Sequence, residues 1–201
     1  MPDRLSSDAA GVARAAALLR AGELVAFPTD TVYGIGSRTG DPEALARIFA
    51  AKRRSPEKAV AWLVRSTDEI AALGFTIDPR ALSLAERFWP GGLTLVLPAA
   101  NGSATQAFRV PDHEVALALL AQAGPMAVSS ANRSGEPDTL DADDVSIAFA
   151  DSDEPSAIVD GGRVPGGVAS TVLDLSGDRA QILRDGAVSR AEIEAVIGPI
   201  D

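Results

Sequence analysis

Residues 24–36 read L-V-A-F-P-T-D-T-V-Y-G-I-G, an apolar run that ends in a proline-braced cluster of hydroxyls and glycines. Leu24 to Phe27 has the content of a buried strand. A strand ending this way delivers Thr29, Thr31 and Tyr33 to a sheet edge, where α/β folds commonly bind ligands. Gly34, Gly36 and Gly40 let the backbone turn tightly and approach a ligand closely. The same letters also describe an ordinary strand-to-helix turn, so the remainder of the chain has to decide.

Outward from this stretch, strands and helices alternate. Asp8 is placed to cap a helix whose apolar residues Val12, Ala15, Ala16, Leu18 and Leu19 recur at helical spacing until Gly22. Asp41-Pro42-Glu43 supplies an N-cap, a first-turn proline and a first-turn acid for a helix running to about Lys52, and Asp78-Pro79 repeats the device. Trp89-Pro90-Gly91-Gly92 breaks that second helix before a strand at 93–97. Further strands are expected at 59–64, 105–110, 126–129, 157–159, 170–175 and 180–184, and helices from Ser66, over 112–122 and over 142–149. Ser189 and Glu192 form a capping box ahead of Ile193, Val196 and Ile197. The order is α/β, and its clustered late strands point to a twisted mixed sheet with flanking helices.

With 201 residues, 46 % of them hydrophobic, the chain is expected to form one domain over 1–201 with a core large enough to need no staples. The absence of cysteine excludes disulfides and thiolate chemistry and suits a reducing compartment, so a cytoplasmic setting is the expectation. The polar start M-P-D-R-L-S-S-D and the lack of any long apolar run give no sign of a leader or a membrane anchor. A formal charge of −10 repels phosphate backbones at long range, so contact with tRNA is expected to be weak or indirect. Asp141, Asp143, Asp144, Asp151, Asp153 and Glu154 lie in one stretch without Lys or Arg, read as a solvated helix and loop. The turn-rich segments 133–141 and 160–167 are candidates for mobile loops beside a site.

Several chemistries are excluded by spelling. There is no G-x-x-x-x-G-K-[ST] and no G-x-S-x-G, and Gly34, Gly36 and Gly40 miss the dinucleotide fingerprint by one residue. The lone His113 reads as a helix-start residue rather than a base. What remains is cationic and hydroxylic. Lys52, Arg53, Arg54 and Lys58 sit at a helix C-terminus, where they either serve the helix dipole or bind an anion. Arg109 and Arg184 stand at strand ends as salt-bridge partners or ligand contacts; Ser129 to Gly135 is a turn or a donor cluster, and Ser170-Thr171 opens a strand or a site. Together these groups suit phosphates and a small polar substrate, without metal or thiol.

The stretches P-T-D-T-V-Y-G-I-G (28–36), A-K-R-R-S-P-E-K (51–58), F-W-P-G-G-L-T-L-V-L (88–97), F-R-V-P-D-H (108–113), V-S-S-A-N-R-S-G-E-P (128–137), D-G-G (160–162), A-S-T-V-L-D (169–174) and L-R-D-G (183–186) resemble the YrdC-like threonylcarbamoyl-AMP synthases, in family order. The resemblance implies a YrdC-like fold with a concave cationic cavity. It also implies a reaction in which L-threonine, bicarbonate and ATP give L-threonylcarbamoyladenylate, pyrophosphate and water. A downstream threonylcarbamoyl-transfer complex then modifies adenosine 37 of tRNA.

By the same resemblance, Lys52 and Arg54 are the catalytic Lys-x-Arg pair. Arg54, Lys58, Thr105, Ser130, Asn132, Thr139 and Arg184 are implied to bind ATP, with Mg²⁺ arriving on the nucleotide. Thr31, Arg109 and Ser170 are implied to hold threonine, with Tyr33 shaping that pocket. The chain departs from the family at Arg53, Ser55 and Ala59, where glycine and prolines are usual, and at Leu63, where longer relatives carry histidine and add a C-terminal domain. Two other readings stay open at this point. One is a paralogue acting on another carbamoyl or acyl adenylate; the other is an RNA-binding module, which the charge and the scarcity of aromatic residues disfavour.

Overall fold

The computed structural model describes residues 2–53, 55, 60–166 and 168–201. Its elements are β1 (Asp3–Ser6), α1 (Ala9–Arg20), β2 (Val25–Phe27), β3 (Gly34–Arg38), α2 (Pro42–Lys52), β4 (Ala61–Leu63), α3 (Thr67–Ala72), α4 (Pro79–Phe88), β5 (Leu93–Pro98), β6 (Thr105–Arg109), α5 (Glu114–Ala123), β7 (Met126–Ser130), α6 (Ala142–Ala148), β8 (Ala157–Asp160), β9 (Thr171–Asp174), β10 (Gln181–Arg184) and α7 (Arg190–Ile197). The strands form one sheet of ten, in the order β1-β8-β2-β3-β7-β4-β6-β5-β9-β10. It is mixed: β1 and β2 run parallel to β8, β4 to β6 and β5 to β9, whereas β3, β7 and the β5–β6 and β9–β10 pairs are antiparallel.

The helices begin where short polar side chains can satisfy the first free backbone N–H groups. Asp8, Asp41, Ser66, Asp78, Asp141 and Ser189 each accept a hydrogen bond from an N–H in the first turn of the helix they precede. Glu192 completes the capping box of α7.

The half of the sheet holding β1, β8, β2 and β3 is covered on both faces. Val25 and Phe27 of β2 pack with Val12, Leu19 and Leu119 from α1 and α5; Leu24, Ala26 and Ile35 pack with Ile48 of α2 and Val145 of α6. The other half is covered on one face. Leu93, Leu95 and Leu97 of β5, Phe108 of β6 and Leu173 of β9 pack against Ile70, Ala81, Leu84 and Ile193 from α3, α4 and α7. Their neighbours Thr94, Val96, Ala107, Arg109 and Val172 point the opposite way, into a cavity. Strand alternation makes the hollow, on a face over which no helix packs among the described residues.

Two strands differ from the expectation. Gly34–Arg38 is a strand and not a turn, and its glycines answer to packing more than to turning. A Cβ on Gly34 would come within 2.7 Å of Val128 Cγ1, and one on Gly36 within 3.1 Å of Phe27 Cε1. Only Gly40 of the three has a positive φ, +76°. The polar N-terminal segment forms the edge strand β1, which its backbone pairing to β8 holds while Leu5 alone is buried.

The acidic stretch does more than carry charge into solvent. Arg4 pairs with Asp143, Arg163 with Asp141, Arg53 and Arg133 with Asp151, and Arg47 with Glu154. Arg53 itself ends α2 with φ of +52° and ψ of +44°, the left-handed conformation that favours glycine. A glycine here, which the resemblance leads one to expect, would adopt this conformation without strain. The strand expected over 59–64 is observed as β4, Ala61–Leu63, with Ala59 lying outside the described residues.

His113 caps α5, its Nδ1 accepting from the Val115 N–H at 3.2 Å, so it is neutral and serves the helix. Burial pushes its imidazole below the ordinary 6.5, outweighing the opposing charges of Asp30, Glu114 and Asp112. Between that lowered value and 6.5 the unfolded chain binds the proton and the folded chain does not, so stability falls as the pH drops below about 6.5. Asp8 and Asp141, held below 3.8 first by backbone N–H groups, lose their contribution only under more acid conditions. The expected result is that His113→Asn, a cap that does not titrate, flattens the dependence of the melting temperature on pH just below 6.5 relative to wild type.

Candidate active site

The β2–β3 turn is organised around a chain of hydroxyls. Thr29 Oγ1 donates to the Val32 carbonyl at 2.7 Å, which commits its only proton. The 3.1 Å contact between Thr29 and Thr31 therefore has Thr31 as donor. Thr31 in turn accepts from Arg109 Nη1 at 3.1 Å, so any further partner of Thr31 must be a donor.

Arg109, at the end of β6, is 7 % exposed. Its Nε donates to the Gly91 carbonyl at 2.9 Å and its Nη2 to Asp30 Oδ2 at 2.6 Å. Three of five guanidinium N–H groups are thus held by the protein, leaving one on each terminal nitrogen.

A second cluster joins β5, β9 and β10. Ser170 Oγ lies 2.8 Å from Thr94 Oγ1 and accepts from Arg184 Nη2 at 3.0 Å, while Arg184 Nε and Nη2 also donate to the Ser170 carbonyl. The chain after β10 crosses directly over this peptide at Gly186. A Cβ there would overlap Ala169 O and Thr171 N, which are backbone atoms and cannot swing away. Gly186→Ala is expected to lower stability by about 3 kcal/mol, read from chemical denaturation, because the backbone must separate.

The third cluster lies where β7 ends. The Lys52 ammonium is 2 % exposed and donates to the carbonyls of Ser130 and Asn132 and, at 3.3 Å, to Asn132 Oδ1. Ser130 Oγ donates to the same Asn132 Oδ1 at 2.6 Å, and Asn132 Nδ2 donates to the Glu136 carbonyl at 2.7 Å. Thr139 is buried, with its hydroxyl on the Ala131 carbonyl.

These clusters surround a cavity of about 300 Å³. Of the expected site residues, Thr31, Arg109, Ser130, Ser170 and Arg184 line it. Lys52, Asn132 and Thr139 sit behind the wall and shape the Ser130 loop, and Thr105 is exposed at the start of β6. Tyr33 is fully buried away from the cavity, its hydroxyl donating to the Gly162 carbonyl and accepting from the Gly161 N–H. Arg54 and Lys58 lie outside the described residues.

The described part of the wall carries two cations and one anion. Arg109, Arg184 and Asp138 are its charged residues, and both arginines already have partners within the chain. Thr94 and Asp138 were not anticipated. Thr94 was readable as the inward polar residue of the alternating strand L-T-L-V-L, whereas Asp138 sits in a loop without periodicity. Leu63 also lines the wall.

Of the two candidate mobile loops, 133–141 is tied to the described part of the other, 160–166. Val164 N donates to the Leu140 carbonyl at 2.8 Å, and Arg163 pairs with Asp141 at 2.6 Å. Among the described residues no cluster of three or more His, Cys, Asp or Glu could hold a metal ion, and no helix is long and apolar enough to cross a membrane.

Comparison with known proteins gives a consistent set of relatives. The Sua5/YciO/YrdC family model, described as telomere recombination, matches residues 17–186. A Bacillus subtilis protein named threonylcarbamoyl-AMP synthase is 42 % identical over 98 % of this chain and 60 % of its own length. A Pyrococcus abyssi protein of the same name is 43 % identical, covering 92 % of this chain and 57 % of its own. The crystal structure of P. abyssi Sua5 complexed with L-threonine superimposes with a TM-score of 0.90 at 38 % identity, over all of this chain and 62 % of that one. The chain therefore spans about three fifths of the length of these relatives.

Proposed function

The chain belongs to the Sua5/YciO/YrdC family, and from that premise we propose that it makes L-threonylcarbamoyladenylate from L-threonine, bicarbonate and ATP. The observation that carries this reading is the convergence of Thr31, Arg109, Ser130, Ser170 and Arg184, distant in sequence, on one cavity of about 300 Å³. Support also comes from the name shared by the B. subtilis and P. abyssi relatives and from the threonine-bound structure.

The chemistry follows from the polarity of the wall. The amine of threonine attacks bicarbonate to give a carbamate and water. A carbamate oxygen then attacks the α-phosphorus of ATP, and pyrophosphate leaves. The carbamate decomposes in water, so a recessed site with fixed donors is what the reaction needs. The remaining N–H groups of Arg109 suit the threonine carboxylate. Thr31, able only to accept, suits the threonine amine or hydroxyl.

Ser130 has its proton on Asn132, so it too presents lone pairs. It would meet ATP through a ribose hydroxyl or the adenine amine rather than through phosphate oxygens. Phosphate charge falls to Arg184, with Arg54 and Lys58 proposed beside it. Mg²⁺ would arrive on the nucleotide: Asp138 is the one carboxylate among the described lining residues, which fits a metal held chiefly by phosphates and water. The product is proposed to pass to a threonylcarbamoyl-transfer complex acting on tRNA, in the cytoplasm.

Incubation with ATP, bicarbonate and a panel of amino acids, with the adenylate identified by mass, tests the reading. A threonine-dependent and bicarbonate-dependent adenylate is expected; one formed on a different acid would point to a paralogous activity. Arg54→Ala is expected to lower pyrophosphate release at least about tenfold through weaker ATP use, with folding unchanged. Wild-type release from that variant would remove Arg54 from the site.

A further inference from the structure

We propose that Asp30 is a positioning residue for amino-acid recognition, holding the Arg109 guanidinium in the one orientation that selects a free α-carboxylate; this rests on reading the cavity as the threonine site. Asp30 is absent from the cavity wall, whereas its neighbour Thr31 and its partner Arg109 both line it. It therefore acts through Arg109. Its Oδ2 accepts from Arg109 Nη2 at 2.6 Å, and its Oδ1 is fixed by the Asp112 N–H at 3.1 Å. The carboxylate is thus anchored on both oxygens before any ligand enters.

Without that anchor the guanidinium keeps only Gly91 O on Nε and Thr31 Oγ1 on Nη1. Nη2 would then be free to seek another partner, and the proton order running from Arg109 through Thr31 and Thr29 to Val32 would loosen with it. The side chains of Arg109 and Asp30 are only 9 % and 18 % exposed, so water offers little substitute. Two outward N–H groups held at fixed positions donate to the two oxygens of a carboxylate and oppose the NH₂ of a carboxamide. Selectivity between acid and amide is consequently the property that Asp30 controls.

The test is calorimetric titration of the full chain with L-threonine, L-threonine amide and ATP. Wild type is expected to prefer threonine over its amide. Asp30→Asn is expected to raise the Kd for threonine at least tenfold and to shrink the acid-to-amide preference, with the Kd for ATP within twofold of wild type. Unchanged or tighter threonine binding by a folded Asp30→Asn overturns the proposal, since tighter binding would mean that the carboxylate competes with the ligand. Equal weakening of threonine and ATP also overturns it, as a purely structural role would do that. Wild type that does not bind threonine refutes the threonine site itself, and the proposal with it. Should Asp30→Asn fail to fold, Asp30→Glu keeps the charge but displaces it by one methylene. It is expected to weaken threonine at least threefold, and wild-type affinity from Asp30→Glu overturns the proposal equally.

Discussion

Arg109→Ala is expected to reduce kcat/KM for threonine at least about a hundredfold and to cost about 3–5 kcal/mol of stability. The second figure follows from burial: removing the guanidinium strands Asp30, the Gly91 carbonyl and Thr31 in a place where Arg109 is 7 % exposed. The first follows from losing charge-assisted hydrogen bonds to the substrate carboxylate, each worth about 1.5–3 kcal/mol. Arg109→Lys separates the two effects. An ammonium can keep the ion pair with Asp30 but cannot reach Gly91, Asp30, Thr31 and a ligand together, so stability should recover more than activity does. Thermal melts and threonine-dependent pyrophosphate release measure the two quantities. Near-wild-type activity in Arg109→Ala would remove the amino-acid end of the site.

Lys52→Met should be nearly as damaging, by a different route. The ammonium is 2 % exposed and its donors are spent on three oxygens of the Ser130–Asn132 loop. Methionine fills much of the volume but takes the ammonium donor from the two buried carbonyls, a loss of about 3 kcal/mol. Without Lys52 the backbone carbonyls of Ser130 and Asn132 lose the donor that joins them, and the loop that presents the Ser130 hydroxyl loosens. The expected outcome is a destabilised protein with adenylate formation down at least about a hundredfold, measured at a temperature where it stays folded. If Lys52→Met is destabilised yet keeps wild-type turnover, the Ser130 loop is not part of the reaction.

Much of the fold was legible because its signals are local. Asp-Pro caps, a capping box and apolar runs mark α2, α4, α7, β5 and β7 directly. The strand β3 was not, because glycines lower strand propensity and the reason for them is remote: Val128 and Phe27 occupy the space their side chains would need. β1 was hidden since its pairing with β8 uses backbone and spans more than 150 residues of chain.

At the site, hydroxyls and arginines could be recognised by type, but not by which way each proton or guanidinium is turned. That Thr31 and Ser130 face the cavity as acceptors depends on Val32, Asn132 and Arg109, and no spacing reveals it. Tyr33 illustrates the opposite error of scale. It lies two residues from Thr31, but Thr31 belongs to the β2–β3 turn, whereas Tyr33 shares the face of Ile35, two residues further on, and the Gly161–Gly162 loop holds its hydroxyl there.

The central claim is that the uncovered face of the sheet between β7 and β10 is where threonine and nucleotide meet. A crystal structure of the chain with L-threonine and a non-hydrolysable ATP analogue tests it most directly. The account predicts the threonine carboxylate on Arg109, its amine or hydroxyl on Thr31, and the analogue's phosphates toward Arg184. Ligands bound on another surface, with the cavity filled only by water, would contradict it.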